Sequence, residues 1–384
     1  MRICEISHFF CYAAYRQKAA AMAQLTGEKE LLLTPSGWIE DFHGGSVEVN
    51  DSEAYIFKER RAYLNWKVWG GKRVQIFVLT PYIIWDMHNY KPDIIVVDSE
   101  PFSLLAVEVA IIRRLFFPRA RLIVHSSQNL YKRYPFPFRT TEAFVLHQAT
   151  AIFVRSEEIK QVLLRKRCGC PIHIITHGVD TKRFTPLVDK ERIGYKNGER
   201  LHIGYVGALA WHKGVHVLLE AVSDLKIPFK LTIVGNGPER DVLQAQALSL
   251  PTSSNIQFKN SVPNAQLPDT LRNFDVLVLP SITVPNWKEQ FGRIIIESMA
   301  CGVPVVGSTC GSIPDVIGNG GLVFTEKDAV QLCAILERLA GDQLLLGDLS
   351  AKARQRALIH FSWESVASRI YPIYSEWIQN RGEP

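Results

Sequence analysis

From residue 92 onward, short runs of apolar, often β-branched residues alternate with helix-length amphipathic segments. Buried strands joined by helical crossovers pair in parallel, and a parallel sheet needs helices on both faces. Ile94 to Val97 reads as one such strand, ending at Asp98, and Pro101 opens a helix to about Leu115, since proline suits a first helical position. Arg121 to Val124 and Ala151 to Val154 are the next strands, a helix runs from Glu157 to about Arg167, and Ile172 to Ile175 closes this array. Periodicity fades between Arg183 and Arg200, where Pro186, the charged run Asp189 to Arg192 and Asn197-Gly198 read as a linker. A second array follows, with strands at His202 to Gly207, Lys230 to Val234, Ile256 to Lys259, Val276 to Pro280 and Val303 to Val306. A helix covers Val215 to Val222, and a last one runs from about Trp363 to Gln379 after a Phe361-Ser362 cap signal. The expectation is an α/β chain of two doubly wound domains, residues 1–186 and 187–361, with a terminal helix over 362–384. Two such halves facing each other would place a cleft at the carboxyl ends of both sheets.

At 384 residues the chain can bury two full cores. With 47% hydrophobic and 21% charged residues it reads as soluble and globular, and no apolar run approaches the roughly 18 residues of a membrane span. Glu5 and His8 interrupt what would be the apolar core of a signal peptide, so a cytoplasmic location is expected. The seven cysteines are odd in number and scattered. Only Cys168 and Cys170 lie close together, and one Cys-Gly-Cys pair is a poor metal site, which leaves free thiols as the expectation.

Charge is unevenly shared. Residues 1–186 carry 25 Lys and Arg against 18 Asp and Glu, whereas residues 187–384 carry 19 against 20. A basic half suggests an anionic partner, a membrane surface or a phosphorylated acceptor, or has no partner in particular. Within it, Lys58 to Arg73 interleaves basic residues with Tyr63, Trp66 and Trp69, and Ile111 to Arg119 combines arginines with Ile111, Ile112, Leu115, Phe116 and Phe117. Each can be a membrane-surface segment or a helix that turns its apolar side to the core.

The chemistry concentrates in Glu289 to Val323. One carboxylate, Glu289, precedes Phe291-Gly292, and a second, Glu297, interrupts the apolar run Arg293 to Cys301. Eight residues apart, they would share a face if both were helical, about 12 Å from each other. That is the reach from a ribose to a sugar beyond a diphosphate. The free N–H groups of the helix would begin near Phe291 and Gly292, where phosphate oxygens can be cradled. After the helix come a Gly-Val-Pro break, a short strand and loops rich in glycine and serine. Two further strand ends carry glycine: Gly207 followed by Lys213-Gly214, and Gly235-Asn236-Gly237-Pro238. Glycine lets the backbone approach a phosphate, and a lysine neutralises it as a point charge.

Taken together, these residues resemble the sugar-donor domain of the family 4 retaining glycosyltransferases, whose GT-B fold has two facing Rossmann-like domains and a C-terminal crossover helix. The resemblance rests on Gly207 with Lys213-Gly214, Val234 to Pro238, the Glu289-x7-Glu297 pair in EQFGRIIIESMACGVPVV, and Gly311 to Asp315. His177 to Asp180 with Arg183-Phe184 is similar to the family's segment before the linker, and the likeness covers most of residues 172–384.

The resemblance implies that Glu297 holds the ribose hydroxyls, while Glu289 and the backbone of Gln290, Phe291 and Gly292 hold the sugar and phosphates. Lys213 would stabilise the departing diphosphate, and Gly207, Gly235, Asn236 and Gly237 would border the nucleotide. The family commonly has arginine where Ala208 stands, and Arg293 is expected to supply that second cation. It also carries a Gly-Gly loop after the first strand, whereas Ser7 to Tyr12 contains no glycine. His125 falls where the family places a histidine facing the sugar, able to orient it or to assist the acceptor hydroxyl. Ser126, Gln128, Asn129 and Glu100 are acceptor-side candidates.

Retention by front-face attack needs no carboxylate nucleophile, so the Glu pair is not read as that of a glycoside hydrolase. With no Asp-x-Asp in the sequence, a metal-independent site without a cofactor is expected. The expected activity is hexose transfer from a nucleotide-diphosphate sugar to a hydroxyl acceptor. Weak peripheral contact with an anionic membrane accompanies that reading, and nucleic acid does not. A sugar-nucleotide epimerase, a glycoside phosphorylase and a non-catalytic nucleotide-sugar binder are the alternatives on the same fold.

Overall fold

The computed structural model describes residues 1–35, 53–60, 81–187 and 200–379. The chain divides into Met1–Thr176 with Trp363–Pro384, and His177–Ser362. The division falls at Thr176 and His177, ahead of the Pro186 position where composition suggested a linker. Much of that linker, and residues 61–73 of the Lys58 to Arg73 stretch with Tyr63, Trp66 and Trp69, lie outside the described residues.

Among the described residues, the first unit contains β1 (Ile3–Ser7), β2 (Glu30–Pro35), β3 (Tyr55–Arg60), β4 (Ile94–Asp98), β5 (Arg121–Ser126), β6 (Ala151–Val154) and β7 (Ile172–Ile174). They form one sheet in the order β3-β2-β1-β4-β5-β6-β7, and every pairing is parallel. Both faces are covered, which is why β4 is a continuous apolar run rather than an alternating one. One face buries Ile95 and Val97 with Leu105 and Val109 of the helix Leu104–Phe116. On the other, Ile94 and Val96 meet Met22 of the helix Ala13–Thr26 and Val366, Ile370 and Tyr374 of the helix Trp363–Gln379. Tyr374 stacks on Phe153, with ring centroids 6.0 Å apart. The final helix is thus part of the first unit's core.

Pro101 does not open the helix that follows β4. Ser103 caps it, its side chain accepting from the Ala106 N–H at 3.1 Å. A hydroxyl cap satisfies a free helical N–H, which the proline at 101 cannot do. The helix then splits the two readings of residues 111–119: Ile112 is buried, while Ile111, Leu115 and Phe116 are exposed. Lys58 and Arg60 belong to β3 and pair with the buried Asp86 carboxylate at 2.7 and 2.5 Å.

The second unit contains β8 (Leu201–Val206), β9 (Phe229–Val234), β10 (Ile256–Lys259), β11 (Val276–Leu279), β12 (Val305–Ser308) and β13 (Gly321–Phe324). Their order is β10-β9-β8-β11-β12-β13, again all parallel among the described strands. This is the doubly wound order whose direction reverses between β8 and β11, and ligands of such sheets sit at the carboxyl ends there. The segment at Val303 to Val306 is shifted by two residues, because the Gly302 turn (φ 73°) and Pro304 delay strand pairing until Val305. Gly321–Phe324, which composition suggested as loop, pairs with β12.

Candidate active site

Register brings the loops together. β8 and β9 run level from Leu201 with Phe229 to Val206 with Val234, so Gly207 and Gly235 leave the sheet side by side. Leu277 pairs with Gly204, which puts the Pro280-Ser281 exit of β11 next to them. The loops after β8 and β9 are stitched by the Gly207 N–H donating to Val234 (3.0 Å) and the Leu209 N–H donating to Asn236 (2.9 Å). Asn236 is exposed, and its side-chain carbonyl accepts from Arg240 at 3.1 Å.

Lys213 ends a single 3-10 turn, Trp211–Lys213, and Gly214 then starts the helix Val215–Ser223. Gly214 has φ 68°, and a Cβ there would stand 1.9 Å from the Pro280 carbonyl oxygen. Only glycine lets this loop lie against the end of β11. The Lys213 ammonium donates to Glu289 Oε2 at 2.7 Å and stands 4.4 Å from the centroid of the Trp287 ring.

Glu289 is held from several sides. Ser281 Oγ donates to the same Oε2 at 3.1 Å, the Glu289 N–H donates to Cys310 Sγ at 3.4 Å, and the Glu289 carbonyl accepts from the Ser312 N–H at 3.1 Å. The carboxylate therefore sits where the exits of β8, β11 and β12 meet, at the position the sheet order selects.

The two carboxylates do not share a helix face. The helix is Arg293–Ala300, and Glu289 lies before it, across Gly292 at φ 75°. A left-handed residue cannot continue a right-handed helix backward, so Gly292 ends it on the N-terminal side. Phe291 is buried, edge-on to His177 and Phe361 at 5.2 and 5.9 Å between centroids. Its ring is core, which leaves its backbone for a ligand. Gln290 is exposed.

Glu297 is buried within the helix, and burial pushes its carboxyl above the usual range against the opposing charges of Arg293 and Arg183. Arg293 donates to Glu297 Oε1 at 3.1 Å, one turn away, with its side chain one-third exposed. The arginine expected to face a diphosphate is thus anchored on the carboxylate expected to hold a ribose.

His125 belongs to the first unit, whereas the other named residues belong to the second. The residue before it, Val124, pairs with Val97, which precedes Asp98, and Asp98 pairs with Ser7. Ser7 Oγ donates to Asp98 at 3.3 Å, Arg155 lies 3.4 Å from that carboxylate and His125 Nδ1 lies 3.8 Å from it. The imidazole is only 2% exposed and edge-on to Phe153, and neither ring nitrogen has a hydrogen-bond partner among the described residues. Burial, helped by Arg155, pushes its pKa well down, so the ring is neutral. Glu100 accepts from Ser126 Oγ (2.9 Å) and the Ser127 N–H (2.7 Å), and burial raises its pKa.

Sequence reasoning missed Ser281, Trp287 and Cys310 around Glu289. Ser281 was within reach, because it follows the end of a readable buried strand, where ligand-facing residues collect. Trp287 and Cys310 gave no local signal. Among the described residues, no cluster of three or more His, Cys, Asp or Glu side chains is placed to hold a metal ion.

Residues 189–356 match the family model described as glycosyl transferases group 1. The D-inositol 3-phosphate glycosyltransferase of Corynebacterium jeikeium is 29% identical over 263 residues, covering 64% of this chain and 61% of that protein. The MMP alpha-(1->4)-mannosyltransferase of Mycolicibacterium hassiacum is 30% identical over 216 residues, covering 54% of this chain and 49% of its own length. The matches thus span about half to three-fifths of these relatives. In structure, the Anabaena protein Alr3699/HepE in complex with UDP and glucose superposes with a TM-score of 0.71 at 19% identity, over 98% of this chain and 99% of that one. This likeness concerns the fold, which is the GT-B type built of two Rossmann-like α/β units. Residues 189–356 thus carry a domain that matches the glycosyl transferases group 1 family.

Proposed function

We propose that the protein is a retaining, metal-independent glycosyltransferase that moves a hexose from a nucleotide-diphosphate sugar to a hydroxyl acceptor. The observation that carries the proposal is the Lys213–Glu289 pair, 2.7 Å between charged atoms, at the point where the order of the second sheet reverses. Glu297, on the helix that follows Glu289, supplies the second carboxylate.

In this reading Glu297 takes the ribose diol, and Glu289 with the backbone of Gln290 to Gly292 takes the sugar and phosphates. The nucleotide lies along Gly207 and Gly235 to Gly237. An ammonium has three N–H donors, so Lys213 can keep Glu289 and still donate to a diphosphate. Arg293, paired with Glu297, adds a second positive charge near the same helix N-terminus. During transfer the bond between the sugar C1 and the diphosphate oxygen breaks while C1 bonds to the acceptor oxygen on the same face. The acceptor proton passes to the departing diphosphate, whose charge Lys213 and Arg293 stabilise. His125, neutral and beside Asp98, is assigned to orienting groups on the acceptor side.

Peripheral contact with an anionic membrane at its cytoplasmic face is part of the proposal. It is supported by exposed Ile111, Leu115 and Phe116 beside Arg113 and Arg114 at the end of one helix. No helix among the described residues is long and apolar enough to cross a membrane.

The test is a melting panel of nucleoside diphosphates and sugar nucleotides, followed by an assay for acceptor-dependent release of nucleoside diphosphate. A ligand at about 100 times its dissociation constant stabilises by about 2.7 kcal/mol. The neighbour bound to UDP and glucose makes UDP-hexoses the first to try. Stabilisation by a sugar nucleotide, with release only when an acceptor is present, supports transfer. Conversion of the sugar nucleotide alone, or turnover that requires inorganic phosphate, overturns it.

A further inference from the structure

Away from that site, in the first unit, Cys168 and Cys170 hold their sulfurs 3.4 Å apart. They flank Gly169 in the turn between the helix Glu157–Arg165 and β7, and both are half-buried. The turn is fastened at both ends. The Cys168 N–H donates to the Leu163 carbonyl at 3.1 Å, and the Pro171 carbonyl accepts from the Ile152 N–H at 2.9 Å. The sulfurs are therefore presented to each other by a hydrogen-bonded scaffold. A disulfide requires them about 2.05 Å apart, a further approach that small side-chain rotations can supply. Nothing lies within 4 Å of where a Cβ on Gly169 would stand, so no neighbour packs against the turn at that point.

The two thiols are also unequal. The hydrogen bond between the two sulfurs pulls the Cys168 thiol down to about 7, while the same contact pushes Cys170 up. A lowered thiol beside a raised one is the asymmetry of an attacking and a resolving cysteine. Cys4, Cys301 and Cys310, by contrast, are buried.

We propose that Cys168 and Cys170 form a dithiol–disulfide couple, a modification site that exchanges with small-molecule disulfides such as glutathione disulfide. The Cys168 thiolate attacks one sulfur of the reagent and expels one glutathione thiolate, leaving a mixed disulfide. Cys170 then attacks Cys168 Sγ, expels the second glutathione and gives up its proton to it. Two electrons pass from the cysteine pair to the reagent, and two glutathione thiols are released.

Trypsin cleavage after Arg167 and Lys182 releases both sulfurs in one peptide, Cys168 to Lys182. The folded protein is treated with glutathione disulfide, denatured, alkylated with iodoacetamide and digested. The expected peptide is two hydrogens lighter, carries no alkyl group, and becomes doubly alkylated when dithiothreitol precedes alkylation. Cys170→Ser is expected to trap glutathione on Cys168. A wild-type peptide that is doubly alkylated without reductant, keeps glutathione, or is joined to another cysteine peptide overturns the proposal.

Discussion

Lys213→Ala removes an ammonium 2.7 Å from Glu289 Oε2 and 4.4 Å from the Trp287 ring centroid. Two effects should separate. In the fold, the Glu289 side chain is 11% exposed and keeps the Ser281 hydroxyl at 3.1 Å, so it loses its cation but not every hydrogen bond. A partly satisfied, mostly buried carboxylate should cost about 1–3 kcal/mol of stability. In the reaction, a unit charge about 4 Å from a diphosphate contributes about 4 kcal/mol at an effective dielectric constant of about 20. Removing one such preorganised group lowers kcat about a hundredfold to a thousandfold.

Acceptor-dependent release of nucleoside diphosphate, resolved into kcat and KM, reads the second effect, and thermal melting of the same samples reads the first. The double variant Lys213→Ala/Glu289→Gln also removes the carboxylate charge that Lys213 balances, so its melting temperature should recover while kcat stays low. Lys213→Ala turnover within about threefold of wild type would refute the assignment of Lys213 to the leaving group. So would a double variant whose kcat recovers together with its stability, because the single loss would then have been structural.

Arg293→Ala should lower kcat as severely as Lys213→Ala if it is the second cation, and near-normal initial rates would remove it from the mechanism. Gly214→Ala should destabilise by at least about 1–3 kcal/mol in urea unfolding, from φ 68° and a Cβ 1.9 Å from the Pro280 oxygen; an unchanged midpoint would show that the loop can relax. Glu30 is buried with Oε2 unpartnered among the described residues, and burial pushes its carboxyl up to about 8. Between its unfolded value and about 8 the native state binds more protons than the unfolded chain, so stability should fall as pH rises. Glu30→Gln should therefore stabilise the protein at about pH 9 and much less at about pH 4, and equal effects at both would place the charge elsewhere. Incubation with a chelator should leave the transfer rate unchanged, whereas loss with recovery on adding a divalent cation would contradict the metal-independent reading. Leu115→Asp with Phe116→Asp should reduce flotation with anionic liposomes, and undiminished flotation would move the contact elsewhere.

The buried strands were legible because a parallel strand covered on both faces must be apolar throughout, as in Ile94–Asp98 and Val276–Leu279. Tyr55–Arg60 was not. It sits at the end of the strand order and is only partly buried, so Lys58 and Arg60 belong in it and it does not look like core. The helix Ala13–Thr26 hid for a related reason. Its fully buried Arg16 donates to the Phe10 carbonyl at 2.8 Å and lies over Phe57, which blurs the apolar stripe that would announce it.

In the second unit the residue types suggested a phosphate-and-sugar site: two carboxylates, a lysine beside glycine, and glycine-rich strand ends. Composition and spacing carried only that expectation, because short-range rules fix where strands end and which backbones can approach a ligand. The arrangement of those residues was decided by tertiary structure. Gly292 at φ 75° takes Glu289 off the helix that carries Glu297. Strand order then brings Lys213, Ser281, Glu289 and Cys310 together from the exits of three strands. Arg293, read from sequence as the second cation on the diphosphate, is tied to Glu297 by a contact one helical turn away. Sequence spacing measures distance along the chain, whereas a parallel sheet sets neighbours across it, and the site is made of neighbours across it.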